Sequence, residues 1–248
     1  MKSSRLIRVV ALAGAFGGFS IGAFFLGLLL PFIYMAGGTR LTKRKRCQRV
    51  VGRAYRFFHF YMRTVELIDY RPQLALPASD APRVLVANHP SLVDVTAILS
   101  AQPEVCCLVK SKIYRSPSFF LIMKFCGHIC VDATEKRDGS GVIAQAVLRV
   151  EEGSDVLFFP EGTRSKGQNV GVFQPGAFAV AVHCESAVLP VSIRSSQAVL
   201  QRKHAWYQFP SQPVKLELKA LPEIYPRERE SSRDLTERVR ETIVASLT

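Results

Sequence analysis

The chain has 248 residues and carries 33 Lys and Arg against 20 Asp and Glu, a formal net charge of +13 at pH 7. Residues 1–80 hold 13 of the basic residues and 3 of the acidic ones, so +10 of that charge lies in this first part. This distribution excludes a basic surface spread over the whole folded domain, so no nucleic-acid partner is predicted.

The first predicted element is an apolar helix over residues 9–35. No charged residue occurs between Arg8 and Arg40, and the run is long enough to cross a bilayer. A cleaved signal peptide is the alternative, because the chain begins with a basic segment. The run is too long for a signal peptide, the Gly-Gly pair after it is a poor cleavage site, and a dense basic cluster comes next. We therefore predict a retained membrane anchor.

A basic and aromatic helix is predicted next, over about residues 42–68. It suits the interface of an anionic membrane, but it is also consistent with an amphipathic helix packed on the domain, and both can hold. The excess of basic residues after the apolar run predicts that the folded domain faces the cytoplasm from the inner membrane. A hairpin of the two helices in one leaflet would leave both ends cytoplasmic. The basic residues that follow the apolar run and continue along this helix are Arg40, Lys43, Arg44, Lys45, Arg46, Arg49, Arg53, Arg56 and Arg63.

Residues 72–248 are predicted to form one α/β domain, with residues 1–71 as its membrane-anchoring part. Short runs of Val, Leu and Ile alternate with helical stretches, which is typical of a mostly parallel sheet flanked by helices. A domain of about 170 residues can bury a full core. The predicted strands are residues 83–88, 105–109, 129–132, 154–159, 188–194 and 214–220. The predicted helices are residues 92–101, 117–126, 139–151 and 231–247.

The string Asn-His-Pro-Ser-Leu-Val-Asp at residues 88–94 lies where the first of these strands gives way to a helix. Catalytic groups are common at strand ends, where side chains are exposed yet rigidly held. His89 and Asp94 could not touch on a continuous helix, because residues five apart diverge by about 140°. They can meet if His89 lies in a turn and Pro90 takes the first helical position. Asp94 would then raise the basicity of the imidazole. The alternative is a surface histidine beside a helix-favouring aspartate.

A second string, Phe-Pro-Glu-Gly-Thr-Arg-Ser at residues 159–165, ends the strand at residues 154–159. Glu161 and Arg164 leave the strand end together, and Gly162 permits close approach of the backbone. The guanidinium of Arg164 is suited to a phosphate or a carboxylate. Glu161 could accept from a substrate hydroxyl or orient Arg164. The alternative is a structural turn with an internal ion pair.

Together, the two strings resemble the motifs of the glycerolipid acyltransferase family in order, spacing and strand context. The resemblance covers about residues 80–195. Residues 127–132 look like the family's second block. Residues 188–192 look like its fourth, a strand whose proline helps shape the acceptor site. Residues 173–178 match the stretch that follows the Glu-Gly-Thr-Arg block.

The resemblance implies transfer of a fatty acyl group from acyl-CoA or acyl carrier protein to the free hydroxyl of a lysophospholipid. With 1-acylglycerol-3-phosphate as acceptor the product is phosphatidic acid. His89 would take the hydroxyl proton and Asp94 would stabilise the imidazolium, without a cofactor or an acyl-enzyme. Backbone amides after Pro90 are candidates for holding the oxyanion. Four residues of the second string would position the polar head of the acceptor: Glu161, Gly162, Thr163 and Arg164.

Two positions depart from the family's pattern, and both bear on the acceptor. Many members carry arginine after the second block's aspartate, where this chain has Ala133. Many also carry lysine before the glycine of the later segment, in the region that Gln174 occupies here. Either cation would help hold a phosphate, and Lys136 and Arg137 could substitute. The alternatives are another lyso-lipid acceptor, such as a lyso-aminolipid, or a non-catalytic membrane scaffold.

The six cysteines follow no disulfide pattern, and most lie in apolar segments, which indicates buried thiols in a reducing compartment. The spacing of Cys126, His128 and Cys130 fits none of the common zinc arrangements. No metal site is therefore predicted.

Overall fold

The computed structural model describes residues 5–71, 74–132, 140–165, 169–197, 210 and 212–247. Within these residues the chain forms seven strands and eight helices. The strands are β1 (Ile68–Asp69), β2 (Val84–Ala87), β3 (Val105–Lys110), β4 (Ile129–Val131), β5 (Asp155–Phe158), β6 (Val188–Ser195) and β7 (Val214–Ala220). The helices are α1 (Arg5–Met35), α2 (Arg40–Thr64), α3 (Asp94–Ala101), α4 (Ser111–Tyr114), α5 (Phe120–Phe125), α6 (Ser140–Glu151), α7 (Gly176–His183) and α8 (Ser232–Leu247).

The strands of the described residues form one sheet in the order β1-β7-β6-β2-β5-β3-β4. Every neighbouring pair is parallel except β6 and β7, so the predicted mostly parallel sheet is confirmed. β2 is a short apolar run buried on both faces, as parallel strands covered by helices require. Leu85 of β2 lies opposite Leu157 of β5 on one side and Leu189 of β6 on the other. The carboxyl ends of β2 and β5 therefore meet at one edge of the sheet.

Helices cover both faces of the sheet. Alternate residues of β2 point to opposite faces. Leu85 and Ala87 pack in a cluster with α1, α2, α3 and α5, whereas Val84 and Val86 pack in a second cluster with α6, α7 and α8. α2 therefore shares a core with strands of the α/β part of the chain.

α1 and α2 form an antiparallel pair on the first face. Tyr61 donates to the carbonyl of Ala11 at 3.3 Å near one end, and Arg46 donates to the carbonyls of Ile33 and Ala36 near the other. Within the part of the chain that the structure describes, α1 is the one helix long and apolar enough to cross a membrane by length and composition. The large apolar residues exposed on α1 are Ile7, Val10, Ile21, Phe24, Phe25, Leu28, Leu29, Phe32 and Met35.

Several basic residues of α2 bind the domain. Arg44 is buried and donates to Glu152 at 2.5 Å and to Ser154 at 3.0 Å. Arg49 pairs with Glu104 at 2.5 Å. Arg44 and Arg49 thus pair with carboxylates of the α/β part. These contacts confirm the interpretation of this segment as a helix packed on the domain.

α2 ends at Thr64, short of the predicted end near residue 68. Glu66 adopts the left-handed conformation with φ +54°, and its amide donates to the carbonyl of Arg63 at 3.0 Å. The amide of Leu67 donates to the carbonyl of Met62 at 2.9 Å. These two bonds form a C-terminal cap in which glycine usually takes the left-handed position. A glutamate there leaves no sequence signal, which is why the prediction was too long.

Two buried histidines make the stability of the fold depend on pH. The hydroxyl of Thr96 donates to the carbonyl of Val93, so Nε2 of His59 donates to that hydroxyl at 3.0 Å. Nδ1 of His128 accepts from the amide of Cys107 at 3.0 Å. Burial lowers the pKa of each histidine from 6.5 to about 4, because charging a buried imidazole requires its desolvation.

Between pH 6.5 and about 4, the unfolded chain therefore binds more protons than the folded protein. We expect acidification through this range to lower the free energy of unfolding by about 1.4 kcal/mol per pH unit for each histidine. His59→Gln, which keeps a donor toward Thr96, and His128→Asn, which keeps an acceptor toward Cys107, should reduce the slope. Chemical unfolding at neutral and acidic pH measures it, and a slope unchanged in both variants would contradict this account.

Candidate active site

The turn between β2 and α3 carries the first string. The chain leaves β2 at Ala87 and enters α3 at Asp94, so residues 88–93 form the turn at the carboxyl edge of the sheet. The prediction that Pro90 takes the first helical position is wrong, because the helix begins four residues later. The prediction that His89 lies in a turn before the helix is confirmed.

Asp94 holds the imidazole of His89. Nδ1 of His89 lies 2.8 Å from Oδ2 of Asp94. Asp94 is fully buried and also accepts from the amide of Ser91 at 2.7 Å and from the Ser91 hydroxyl. An ionised carboxylate only accepts hydrogen bonds, so Nδ1 carries the proton and Nε2 keeps its lone pair. His89 has 19% of its side chain exposed, so it is firmly held and still accessible to a substrate.

Two neighbours fix the position of His89. The ring of Phe159 lies against the imidazole, with centroids 4.4 Å apart and planes inclined by 32°. The amide side chain of Asn88 donates to the carbonyl of Ile193 at 2.9 Å and accepts from its amide at 2.7 Å. This bridge fastens the end of β2 to β6 just before His89. Neither role was predicted, although a polar residue directly before a candidate base was an available signal for Asn88.

Glu161 joins the ends of β2 and β5. Its Oε1 accepts from the amide of His89 at 2.9 Å and from the hydroxyl of Ser165 at 2.8 Å. Its Oε2 accepts from the amide of Gly171 at 2.9 Å. The amide of Ser165 donates in turn to the carbonyl of His89 at 2.8 Å. The two strings therefore contact each other directly, and protein donors occupy both oxygens of Glu161.

The other candidates of the second string follow Glu161 in a tight turn. Gly162 has φ +65°, in the left-handed region that favours glycine, and its amide donates to the carbonyl of Phe159 at 3.0 Å. Thr163 is exposed and Arg164 is half-buried. Both residues therefore lie at the surface beside the contact between the two strings.

Of the two positions that depart from the family's pattern, the structure describes Gln174. Ala133, Lys136 and Arg137 lie outside the described residues. Gln174 is exposed, and its amide donates to the carbonyl of Pro160 at 2.8 Å. That bond keeps the segment after the second string close to the end of β5.

Among the described residues there is no group of three or more His, Cys, Asp or Glu side chains that could hold a metal ion. The six cysteines all lie among the described residues, and none of them forms a disulfide bond. Burial raises the pKa of the Cys107 and Cys126 thiols well above its usual range, which disfavours the reactive thiolate form.

The fold and the site define an α/β protein with a carboxylate-held histidine at the carboxyl edge of a parallel sheet. Residues 63–194, more than half of the chain, match the family model described as Acyltransferase. The chain therefore belongs to the acyltransferase family.

Three similar proteins illustrate the relationship. The chain is 32% identical over 125 residues to the chloroplastic 1-acyl-sn-glycerol-3-phosphate acyltransferase LPAT1 of Arabidopsis thaliana, over 50% of this chain and 35% of that protein. It is 28% identical over 155 residues to the 1-acyl-sn-glycerol-3-phosphate acyltransferase of Escherichia coli K12, over 60% and 63%. The matched region thus spans about one third of the length of the Arabidopsis protein and a little less than two thirds of the length of the Escherichia coli protein. The crystal structure of the 1-acyl-sn-glycerophosphate (LPA) acyltransferase PlsC from Thermotoga maritima shares the fold, with a TM-score of 0.77, 22% identity and coverage of 98% and 96%.

Proposed function

We propose that the protein transfers a fatty acyl group from an acyl thioester to the free hydroxyl of a lysophospholipid. The acceptor is 1-acylglycerol-3-phosphate and the product is phosphatidic acid. The observation that carries the proposal is the 2.8 Å contact between Nδ1 of His89 and the buried Asp94, because it leaves Nε2 as a base. Family membership and the printed names of the relatives support this reaction and acceptor.

The reaction needs a base because a neutral hydroxyl is a poor nucleophile. Nε2 of His89 takes the hydroxyl proton while that oxygen bonds to the thioester carbonyl carbon. When the C–S bond breaks, the imidazolium gives the proton to the departing thiolate, so the products are an ester and a thiol. Asp94 stabilises the imidazolium between these steps. The acyl group passes directly to the acceptor, and the thioester is a co-substrate rather than a cofactor.

The oxyanion of the transition state needs donors that are not already engaged. The first amide after Pro90 belongs to Ser91, and it donates to Oδ2 of Asp94 at 2.7 Å. Among the candidate amides after Pro90, that of Ser91 is therefore unsuited to the oxyanion, because the carboxylate that supports His89 already occupies it.

The second string is proposed to hold the polar head of the acceptor. Arg164 supplies a cation suited to a phosphate, and Thr163 supplies an exposed hydroxyl beside it. Gly162 makes the turn that presents both side chains. Glu161 contributes by shaping this loop, since its two oxygens accept from three protein groups.

The membrane is the proposed location. α1 has 31 residues and so measures about 46 Å, and its surface away from α2 and α5 is apolar. Phe57 and Phe60 of α2 add exposed rings. Contacts between the two helices extend from Tyr61 to Arg46, which favours α1 lying with the domain in one leaflet over α1 crossing the bilayer alone. The catalytic domain then faces the cytoplasm.

Acyl transfer by purified protein in anionic vesicles tests the proposal. The assay pairs two donors, acyl-CoA and acyl carrier protein, with 1-acylglycerol-3-phosphate, a lysophosphatidylcholine and a lyso-aminolipid. We expect the fastest turnover with 1-acylglycerol-3-phosphate. If turnover is faster with the lyso-aminolipid, that lipid is the acceptor instead of 1-acylglycerol-3-phosphate, and Gln174 has a role in selecting the acceptor. If no pair of donor and acceptor gives turnover, the proposed reaction is wrong, and the alternative of a non-catalytic membrane scaffold remains.

A further inference from the structure

Residues 169–175 form a segment, here called the strap, that runs beside the second string. The amide of Gly171 donates to Oε2 of Glu161 at 2.9 Å, and the amide of Gln174 donates to the carbonyl of Pro160 at 2.8 Å. Phe173 is buried in the hydrophobic cluster that includes α8. The strap therefore connects the α8 face of the sheet with the carboxylate beside His89.

Arg240 of α8 holds the strap from the side opposite Glu161. Its Nε donates to the carbonyl of Gly171 at 3.0 Å, and its Nη2 lies 3.5 Å from the carbonyl of Val170. The N–H and C=O groups of Gly171 are thus both bound, one by Glu161 and the other by Arg240. The position of Arg240 on α8 therefore bears directly on where the Gly171 amide lies.

The contact between the strap and Glu161 is tight. A Cβ on Gly171 would lie 2.8 Å from Oε2 of Glu161, closer than carbon and oxygen atoms normally approach. Glycine at this position lets the backbone reach the carboxylate. A displacement of the strap would therefore displace the carboxylate, or would break one of the three hydrogen bonds that hold it.

We propose that Arg240 is a positioning residue for His89. It fixes the strap, the strap holds Glu161, and Glu161 holds the amide of His89 at 2.9 Å. Arg240 acts through these groups and does not act on the substrate. The activity readout of this inference rests on the proposed acyl transfer.

Arg240→Met keeps much of the side-chain bulk and removes every donor. We expect kcat to fall about tenfold, because small displacements of a reacting group carry large penalties, and KM to change by less than about twofold. Arg240→Lys should recover part of the loss, since an ammonium can donate to the carbonyl of Gly171.

Arg238 provides the matched control on the same helix. It has 26% of its side chain exposed against 29% for Arg240, and it donates to Glu230 and to the carbonyl of Tyr225 rather than to the strap. Arg238→Met should lower the melting temperature without lowering kcat. An equal loss of kcat in both variants would overturn the proposal, because the effect would then be one of general stability.

A double variant tests the route through Glu161. Glu161→Gln places an amide group where Oε2 accepts from Gly171, so it should break the same connection. If Arg240 acts through Glu161, adding Arg240→Met to Glu161→Gln should lower kcat no further. Full additivity of the two losses would overturn the proposed route.

Amide hydrogen exchange tests the proposal without any activity. Arg240→Met should speed exchange at the amides of Gly171 and His89, and Arg238→Met should leave both rates unchanged. Unchanged exchange at both amides in Arg240→Met would overturn the proposal. If the wild-type protein transfers no acyl group, the proposed function fails, and the exchange rates still decide the role of Arg240.

Discussion

His89→Ala is expected to lower kcat for acyl transfer by about 10³-fold, a loss typical of the removal of a general base. Nε2 is the ring nitrogen that Asp94 leaves free to take a proton. The backbone amide of residue 89 that binds Glu161 remains in the variant, so the two strings stay joined. Steady-state kinetics in vesicles measures the loss. KM for the acceptor should change little, because proton transfer stabilises the transition state more than the bound substrate.

The matched control is His183→Ala. His183 is an exposed histidine at the end of α7, away from both strings in the sequence, and its removal should leave kcat unchanged. Both variants should keep the melting temperature and the vesicle binding of the wild-type protein. Full activity of His89→Ala would refute the proposed mechanism. A loss of folding in that variant would move the test to His89→Gln, which retains a side chain beside the ring of Phe159.

The site was predictable where its parts lie within one short stretch of chain. His89 and Asp94 are five residues apart, so the strand, the turn and the helix between them restrict how they can meet. The contact between His89 and Glu161 spans 72 residues and depends on β2 and β5 being neighbours, although β3 and β4 come between them along the chain. Residue patterns do not determine that order of strands. The order and spacing of the two strings, typical of a known family, indicated that they work together.

The supporting contacts were not predictable because their partners are distant and chemically ordinary. Asn88 binds backbone groups of Ile193 across 105 residues, and Arg240 binds a carbonyl of the strap across 69 residues. Every residue except proline offers the same backbone N–H and carbonyl groups, so such partners carry no signal in a single sequence. Gly171 had a weak signal, since glycine often marks close backbone approach, but nothing identified Glu161 as the group approached.

The basic segment shows a different limit. Its charges favoured a membrane surface, but four of its basic residues pair with Glu152 and Glu104 of the domain, Arg44 and Arg49 through the shortest contacts. A pattern of positive charge is equally compatible with lipid phosphates and with carboxylates that lie far away in the sequence. The apolar face of α1 therefore carries the proposed membrane contact, and these arginines help attach α2 to the domain.

Asp94→Asn is expected to lower kcat by about 100-fold while leaving the geometry of the site intact, because it replaces a charge-assisted hydrogen bond with a neutral one. The amide of Ser91 donates to the same oxygen as His89, so the asparagine carbonyl should take that place. Its NH₂ group can then donate to the hydroxyl of Ser91. Nδ1 of His89 keeps its proton and Nε2 keeps its lone pair. The lost quantity is the negative charge that stabilises the imidazolium.

The size of the loss separates charge from geometry. A loss as large as that of His89→Ala would mean that the asparagine NH₂ group faces the imidazole and forces the wrong tautomer. In that case the amide of Ser91 does not determine the orientation of the asparagine side chain. Unchanged kcat would mean that the charge of Asp94 does not contribute to proton transfer. Ser91→Ala is the matched control. It removes the hydroxyl donor to Asp94 but keeps the carboxylate and the hydrogen bond from the backbone amide of residue 91. It should lower kcat less than Asp94→Asn does, since the charge facing His89 remains.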